Sequence, residues 1–244
     1  RFLKSLPFTP TAAQERVGQE LAADMAKDLP MLRLVQGDVG SGKTLVAARA
    51  ALDTIGAGYQ VAFMAPTELL AEQHHANLSD WFEPLGQPVA WLSGRTKGKA
   101  RATVLEKLAS GRVPIVVGTH ALLVKGTKFQ NLGLLIIDEE QRFGVQHKEH
   151  LKQLRSDVHV LTLTATPIPR TLQLSMSGVR DLSIIATPPI DRLSIRTYVS
   201  DFDSVTIREA LLREHYRGGQ SFFVVPRIID LQEIEDFLQE QLPE

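Results

Sequence analysis

Eight consecutive residues near the start of the chain have the types and spacing needed to bind phosphate. They follow a short apolar run (Met31–Val35), precede a helical pattern, and match G-x-x-x-x-G-K-[ST] at every fixed position. Glycines let backbone amides turn inward around phosphate oxygens at a helix N-terminus, whose partial positive charge favours anions. Lys43 would add a point charge and Thr44 a hydroxyl ligand for Mg²⁺. The alternative is a glycine-rich turn that binds no ligand, and the match at every fixed position of the motif favours phosphate binding over it. The predicted nucleotide-binding residues are Gly37, Asp38, Val39, Gly40, Ser41, Gly42, Lys43 and Thr44.

A second group of polar residues follows the apolar run Leu134–Ile137. Asp138 would stand at the end of a buried strand, where its carboxylate could hold Mg²⁺ through water, and Glu139 could polarise an attacking water molecule. An ordinary acidic turn after a strand is the alternative. The phosphate-binding motif elsewhere in the chain favours the catalytic interpretation, with Thr44 and Asp138 as the metal-binding residues.

Composition limits the classes of function. The chain has 244 residues, 27 Lys and Arg against 28 Asp and Glu, no Cys and 43% hydrophobic residues. A net charge of −1 excludes a uniformly basic nucleic-acid-binding surface, so contacts with nucleic acid would be local. The lack of Cys excludes disulfides and thiolate zinc sites and fits a cytoplasmic protein. Apolar runs are far shorter than the roughly 18 residues of a membrane span, so no membrane partner is expected.

Short apolar runs alternate with helical patterns, which is typical of an α/β fold with a parallel sheet. Each run is nearly continuous, as strands covered on both faces should be. The predicted strands are Met31–Val35, Val61–Ala65, Val89–Leu92, Val113–Val117, Leu134–Ile137 and Val158–Leu163. Thr11 and Gln14 have the spacing of a capping box that opens a helix to about Lys27. Gly58 and Gly111 are placed to end the next helices in left-handed conformations.

A break is predicted at Thr187–Asp191, where two consecutive prolines can continue neither a helix nor a central strand. After it we predict strands Ile195–Val199 and Ser221–Val225 and helices Ser204–His215 and Leu231–Leu242. Such a segment is too small to close an α/β domain. We therefore expect one complete domain in residues 1–187, the beginning of a second in residues 188–244, and a chain that is an excised piece of a longer protein.

Asp138-Glu-Glu-Gln141 after a phosphate loop resembles the DExx box of superfamily 2 helicases. Further segments resemble motifs of that superfamily and occur in the same order: Phe8 with Gln14 (the adenine-sensing Q motif), Ala65–His74 (motif Ia), Val117–Leu122 (the next DNA-contacting motif), Thr164–Thr171 (motif III) and Arg217–Arg227 (first strand of a second lobe). The resemblance implies a RecA-like lobe with a mostly parallel central sheet, the beginning of a second such lobe, and ATP with Mg²⁺ as cofactors.

The resemblance also implies roles for individual residues. Catalysis would use Lys43, Glu139 and Gln141, although related proteins usually have His at the position of Gln141, so the coupling of hydrolysis to DNA is the property that this departure affects. DNA would be contacted by Pro66, Thr67, Gly118, Thr119 and His120. Coupling between nucleotide and DNA would run through Thr164, Ala165 and Thr166. Taken without the resemblance, Thr67 and Thr119 could instead simply cap helices.

Two groups within the superfamily share the resemblance. Residues 32–44 and 91–101 resemble the RecG branch-migration helicase, whereas residues 142–149, 176–183 and 185–189 resemble the transcription-repair coupling factor. A hybrid with a switch between about Gly118 and Asp138, or a divergent homologue of either group, would account for this. The basic cluster of Arg95, Lys97, Lys99 and Arg101 could contact DNA or form a solvated surface.

The function that the resemblance implies is an ATP-dependent translocase or helicase motor acting on duplex or branched DNA in DNA repair. RNA polymerase would be a partner if the protein is coupling-factor-like. A non-motor ATP-binding scaffold and an RNA helicase are the alternatives. Because related motors take arginine fingers from the second lobe, we expect the chain alone to bind ATP with little turnover.

Overall fold

The structure is a computed structural model that describes residues 2, 8–124, 126–139, 157–166, 181–186 and 196–241. It consists of two compact units, residues 1–192 and 193–244. The predicted break at Thr187–Asp191 lies outside the described residues, as does Gln141. Among the helices of the described ranges, none combines the length and apolar character required to cross a membrane.

The first unit alternates strands with helices, as predicted. Its described helices are α1 (Ala12–Met25), α2 (Lys43–Gly56), α3 (Glu68–Phe82) and α4 (Gly98–Ala109), with 3₁₀ turns at Glu83–Leu85 and His120–Leu123. Its described strands are β1 (Leu32–Gly37), β2 (Gln60–Met64), β3 (Val89–Leu92), β4 (Ile115–Gly118), β5 (Leu132–Asp138), β6 (His159–Thr164) and β7 (Asp181–Ile185). The capping box at the start of α1 is present, and Gly58 and Gly111 have φ of 86° and 69°.

The seven strands form one sheet in the order β3-β4-β2-β5-β6-β1-β7, and every neighbouring pair is parallel. The predicted α/β class is therefore confirmed. Strand β7 was not predicted as a strand. It lies at an edge beside β1, where Asp181 and Ile184 are exposed while Ser183 and Ile185 are buried, so it lacks the continuous apolar run that identifies a central strand.

Side chains alternate between two apolar cores, one on each face of the sheet. Along β5, Leu134 and Ile136 belong to one core and Leu135 and Ile137 to the other. The first core also contains residues of α1, α2 and α3, and the second contains Leu108 of α4. Since both faces are covered, the central strands can be almost wholly apolar.

The second unit contains helices α5 (Ser204–Tyr216) and α6 (Leu231–Gln241), as predicted for its helical segments. The predictions of strands at 195–199 and 221–225 are wrong for their described residues, which form no strand; Ile195 lies outside the described ranges. The physical reason is that a strand requires a neighbouring strand for its backbone hydrogen bonds. Val199, Phe222 and Val224 are exposed, so their apolar character has not been used to build a sheet.

Candidate functional site

The phosphate-binding motif lies in the turn between β1 and α2. Strand β1 ends at Gly37, and α2 begins at Lys43 without a capping side chain at its N-terminus. Helix α2 therefore offers its first amides to a ligand. The ammonium of Lys43 lies over the same turn, with Nζ donating to the carbonyl oxygens of Gly37 at 2.6 Å and Asp38 at 2.9 Å.

Helix α1 packs against this turn through Gln14. The Gln14 side chain completes the capping box with Thr11, and its Nε2 also donates to the Ser41 carbonyl at 2.9 Å. Gly42 makes this approach possible: its φ is 83°, and a Cβ there would lie 2.2 Å from Gln14 Nε2. The predicted nucleotide-sensing residue Gln14 therefore touches the phosphate-binding turn directly. Phe8, predicted for the same role, is 47% exposed.

The residues around the turn fit a nucleotide with its metal. The hydroxyl of Ser41 is buried and has no hydrogen-bond partner among the described residues, so it is available to a phosphate oxygen. Burial lowers the pKa of Lys43, while the charges of Asp138, Glu139 and Asp38 raise it in part. The one ammonium of Lys43 thus faces three carboxylates. Thr44 and Asp138 supply the oxygen donors that Mg²⁺ prefers.

Asp138 ends β5, and its carboxylate is held from α3. His74 Nε2 lies 2.8 Å from Asp138 Oδ2, and both side chains are largely buried. Sequence reasoning placed His74 only within motif Ia and assigned it no function. The signal that could have found it is a histidine on the buried face of a helix, which needs a polar partner.

Glu139 is held by the end of the neighbouring strand β6. Its carboxylate accepts hydrogen bonds from the Thr164 hydroxyl at 3.2 Å and the Ala165 amide at 2.8 Å, and its own amide donates to the Leu163 carbonyl at 2.9 Å. Glu139 also has a φ of 50°, which is uncommon outside glycine. These contacts hold the Glu139 carboxylate in one orientation beside Asp138, and they keep the Glu139 backbone in a strained conformation.

Thr164 and Thr166, predicted to couple nucleotide to DNA, lie at the end of β6. There Thr164 is aligned with Gln36 of the strand that leads into the phosphate-binding turn, and its Oγ1 accepts a hydrogen bond from the Thr166 amide at 3.1 Å. Motif III thus connects β1 with Glu139. Its role in coupling stays a prediction.

The order of the strands divides one edge of the sheet into two halves. All strands are parallel, so their carboxyl ends lie at the same edge. The ends of β5, β6 and β1 and the loops after them carry the residues predicted to form the nucleotide site. The loops after β3, β4 and β2 carry the basic cluster and the residues predicted to contact DNA. Because β2 and β5 are neighbours, the two halves adjoin.

The predicted DNA-contacting residues differ in their surroundings. Thr67 is exposed and caps α3, with Oγ1 accepting from the Leu70 amide at 3.3 Å, so the capping role considered above is present. His120 is exposed and begins a 3₁₀ turn, whereas the Thr119 hydroxyl is buried without a hydrogen-bond partner among the described residues. Pro66, which immediately precedes Thr67, is partly buried. Contact of these residues with DNA stays a prediction.

The structure gives a steric reason for glycine at position 118. A Cβ at this position would lie 1.8 Å from the Leu92 carbonyl oxygen, so only glycine allows β3 and β4 to approach at this edge. The basic cluster lies after β3, and its Arg95 forms an ion pair with Glu68 in the first turn of α3, with Nε 2.7 Å from Oε2. This contact brings the cluster beside Thr67.

The sequence profile of the DEAD/DEAH box helicases matches residues 11–175. The chain is 50% identical to the transcription-repair-coupling factor of Rickettsia bellii and 47% identical to that of Escherichia coli, with the whole chain aligned to 22% and 21% of their lengths. Its structure matches that of RecG bound to a three-way DNA junction, with a TM-score of 0.82 and 40% identity, over 98% of this chain and 32% of that one.

The chain therefore spans about a fifth of the length of these curated relatives. Both the coupling factors and the RecG structure align along almost the whole chain, so the two alternatives above, a hybrid and a divergent homologue, stay predictions. Three observations agree with one another: the profile match over residues 11–175, a parallel sheet with the turn between β1 and α2, and the paired acids at the end of β5. The chain belongs to the DEAD/DEAH box helicase family.

Proposed function

We propose that residues 1–187 are the first motor lobe of an ATP-dependent DNA translocase that acts in DNA repair, and that residues 188–244 begin the second lobe. The observation that carries this proposal is the divided sheet edge. A nucleotide site and a set of exposed polar loops suited to a phosphate backbone adjoin at β2 and β5. A change in the nucleotide bound at one half can therefore alter how the other half fits the DNA backbone.

In this proposal the phosphate-binding turn and Lys43 hold the nucleotide phosphates, and Thr44 and Asp138 hold Mg²⁺. The metal, when bound, would neutralise charge on the phosphates. Glu139 orients and polarises the attacking water, and the hydrogen bonds from Thr164 and Ala165 keep its carboxylate in place for this. Gln14 senses the nucleotide through its contact with the turn.

The DNA-binding half would use groups with little net charge. Phosphates can be contacted by three groups: backbone amides at the start of α3, the loop that carries His120, and the exposed side chains of the basic cluster beside Glu68. Such contacts reconcile DNA binding with the near-neutral composition. Motif III would then transmit the state of the nucleotide between the two halves.

The names of the relatives suggest the process. One group couples transcription with repair, and a RecG structure contains a three-way DNA junction. We infer that the substrate is duplex or branched DNA and that RNA polymerase is a partner of the full-length protein, in the cytoplasm, where DNA, ATP and Mg²⁺ meet.

The test is ATP hydrolysis by the full-length protein with duplex DNA, branched DNA, RNA or no nucleic acid. We expect stimulation by DNA, and a loss of about 100-fold or more in Lys43→Ala and in Glu139→Gln. Lys107→Ala, a change on the exposed surface of α4, is the matched control and should hydrolyse ATP as the parent does. Equal rates with and without nucleic acid would instead support a scaffold, and stronger stimulation by RNA would support an RNA helicase.

The 244-residue chain alone should bind ATP weakly and hydrolyse it slowly. The physical reason is that related motors complete the site with arginines from the second lobe. A DNA-stimulated rate equal to that of the full-length protein would contradict this expectation.

A further inference from the structure

His74 is a buried polar residue that the nucleotide and DNA sites described above leave without a role. It lies on α3, two turns after the Thr67 cap, and its side chain is 11% exposed. Its one polar contact among the described residues joins Nε2 to Asp138 Oδ2 at 2.8 Å, across 64 positions of sequence. Helix α3 thus reaches from the predicted DNA contact to the predicted metal-binding carboxylate.

The imidazole is held firmly by its surroundings. Its ring centroid lies 4.6 Å from that of Phe63 on β2, the strand beside β5, and Phe63 is fully buried. A ring fixed in this way can in turn fix a carboxylate that it contacts. The contact occupies Oδ2 of Asp138, so the other oxygen can serve a metal or its water.

Packing alone does not explain a histidine here. Nδ1 of His74 is buried and has no hydrogen-bond partner among the described residues. Leaving a buried nitrogen unpaired costs free energy that an apolar side chain would avoid. The residue therefore gives up stability while its other nitrogen donates to Asp138.

We propose that His74 is a positioning residue that holds the Asp138 carboxylate in the orientation required for metal binding at the nucleotide site. This rests on the proposed function, because it takes Asp138 as a ligand of the nucleotide-bound metal. Since Thr67 caps the helix that carries His74, a shift of α3 on DNA binding would reach the metal site through this contact. Partners of metal ligands typically contribute about 10-fold to 100-fold in affinity.

The test compares side chains that differ in one hydrogen-bond donor. His74→Met removes the N–H, whereas His74→Gln has nearly the same shape as Met and keeps an N–H within reach of Asp138. His75→Leu is the matched control: the His75 ring contacts the Val89 carbonyl and Trp91, and no hydrogen bond among the described residues joins it to Asp138. Binding of a fluorescent ADP is measured in the full-length protein with EDTA and across a Mn²⁺ titration, and bound Mn²⁺ is counted by electron paramagnetic resonance.

We expect His74→Met to weaken Mn²⁺ binding about 10-fold or more while metal-free ADP binding changes less than about 2-fold. His74→Gln should recover most of the Mn²⁺ affinity, and His75→Leu should match the parent. In an Asp138→Asn background, His74→Met should have no further effect, because the residue acts through that carboxylate. His74→Leu also removes the donor and substitutes for His74→Met if that variant does not fold.

Two results would overturn the inference. One is an unchanged Mn²⁺ affinity in a folded donor-less variant, and the other is a parallel loss of metal-free ADP binding, which would mean general damage to the site. Failure of the full-length parent protein to bind ADP with Mn²⁺ would refute the proposed function and the inference together. Normal binding by the parent with no effect at His74 would refute the inference alone.

Discussion

We expect the side-chain hydrogen bonds of Gln60 to contribute strongly to the free energy of unfolding of the first unit. It begins β2, is 4% exposed, and makes four side-chain hydrogen bonds. Nε2 donates to the carbonyls of Leu108 at 3.0 Å and Val113 at 2.8 Å, and Oε1 accepts from the amides of Gln130 at 2.8 Å and Asn131 at 3.1 Å. The side chain therefore joins the end of α4 to the segment that enters β5.

The cost of Gln60→Leu can be worked out from these partners. The Leu108 carbonyl retains the amides of Gly111 and Gln130, so these groups keep a hydrogen bond. The Val113 carbonyl and the Asn131 amide lose the side-chain bond described above. An unsatisfied buried group costs about 1–3 kcal/mol, and Asn131 is exposed enough to bind water. The unsatisfied Val113 carbonyl therefore costs about 1–3 kcal/mol, and the lost hydrogen bond of the Asn131 amide costs about 1 kcal/mol net. Together we expect a loss of about 2–4 kcal/mol in the free energy of unfolding.

Urea unfolding followed by the fluorescence of Trp81 and Trp91, both in the first unit, measures this loss. Gln73→Leu on the exposed face of α3 is the matched control and should change the free energy by less than about 0.5 kcal/mol. A loss below about 1 kcal/mol in Gln60→Leu, with an unchanged denaturant slope, would refute the reasoning from unsatisfied backbone groups.

Gln60→Glu sharpens the test. An ionised carboxylate accepts from both amides but cannot donate to the two carbonyls, so burial should raise its pKa above the unfolded value of about 4.3. The protonated form is then favoured in the folded state, and the stability of this variant should fall as the pH rises through the folded pKa. Greater stability at pH 8 than at pH 5, relative to the parent, would contradict the geometry.

Three further predictions concern the sheet edge and the site. Gly118→Ala should destabilise the first unit by about 3 kcal/mol, because its Cβ would lie 1.8 Å from the Leu92 carbonyl oxygen; an unchanged urea midpoint would show that the strands can separate at no cost. Gly42→Ala should weaken ADP binding about 10-fold or more, since it strains a backbone at φ 83° and displaces Gln14; if adding Gln14→Ala restores no affinity, strain rather than the clash is the cause, and normal binding by the single variant would refute both. Burial lowers the pKa of His159, so the unfolded chain binds more protons below about pH 6.5, and stability should fall as the pH falls through that range; the fall should be smaller in His159→Asn, and an equal fall would assign the effect to other groups.

Local features were predicted well from the sequence. The capping box, the phosphate-binding turn and the continuous apolar strands depend on residues within a few positions of one another, and the structure contains each of them. Strand β7 was missed, and the strands predicted in the second unit are wrong in their described residues. In both cases strand formation depends on a neighbour, present for β7 in β1 and not found for 196–199 and 221–225 in the described unit.

The sequence by itself determined the chemistry that the chain can offer, because phosphate binding and helix capping require particular residue types at short spacings. It could not determine which loops lie side by side. That depends on the strand order, in which β5 is inserted between β2 and β6, and on contacts such as His74 with Asp138 and Thr164 with Glu139. These pairs are distant in sequence, and no local pattern encodes them. These residues come within hydrogen-bonding distance only because the helices pack against the parallel sheet.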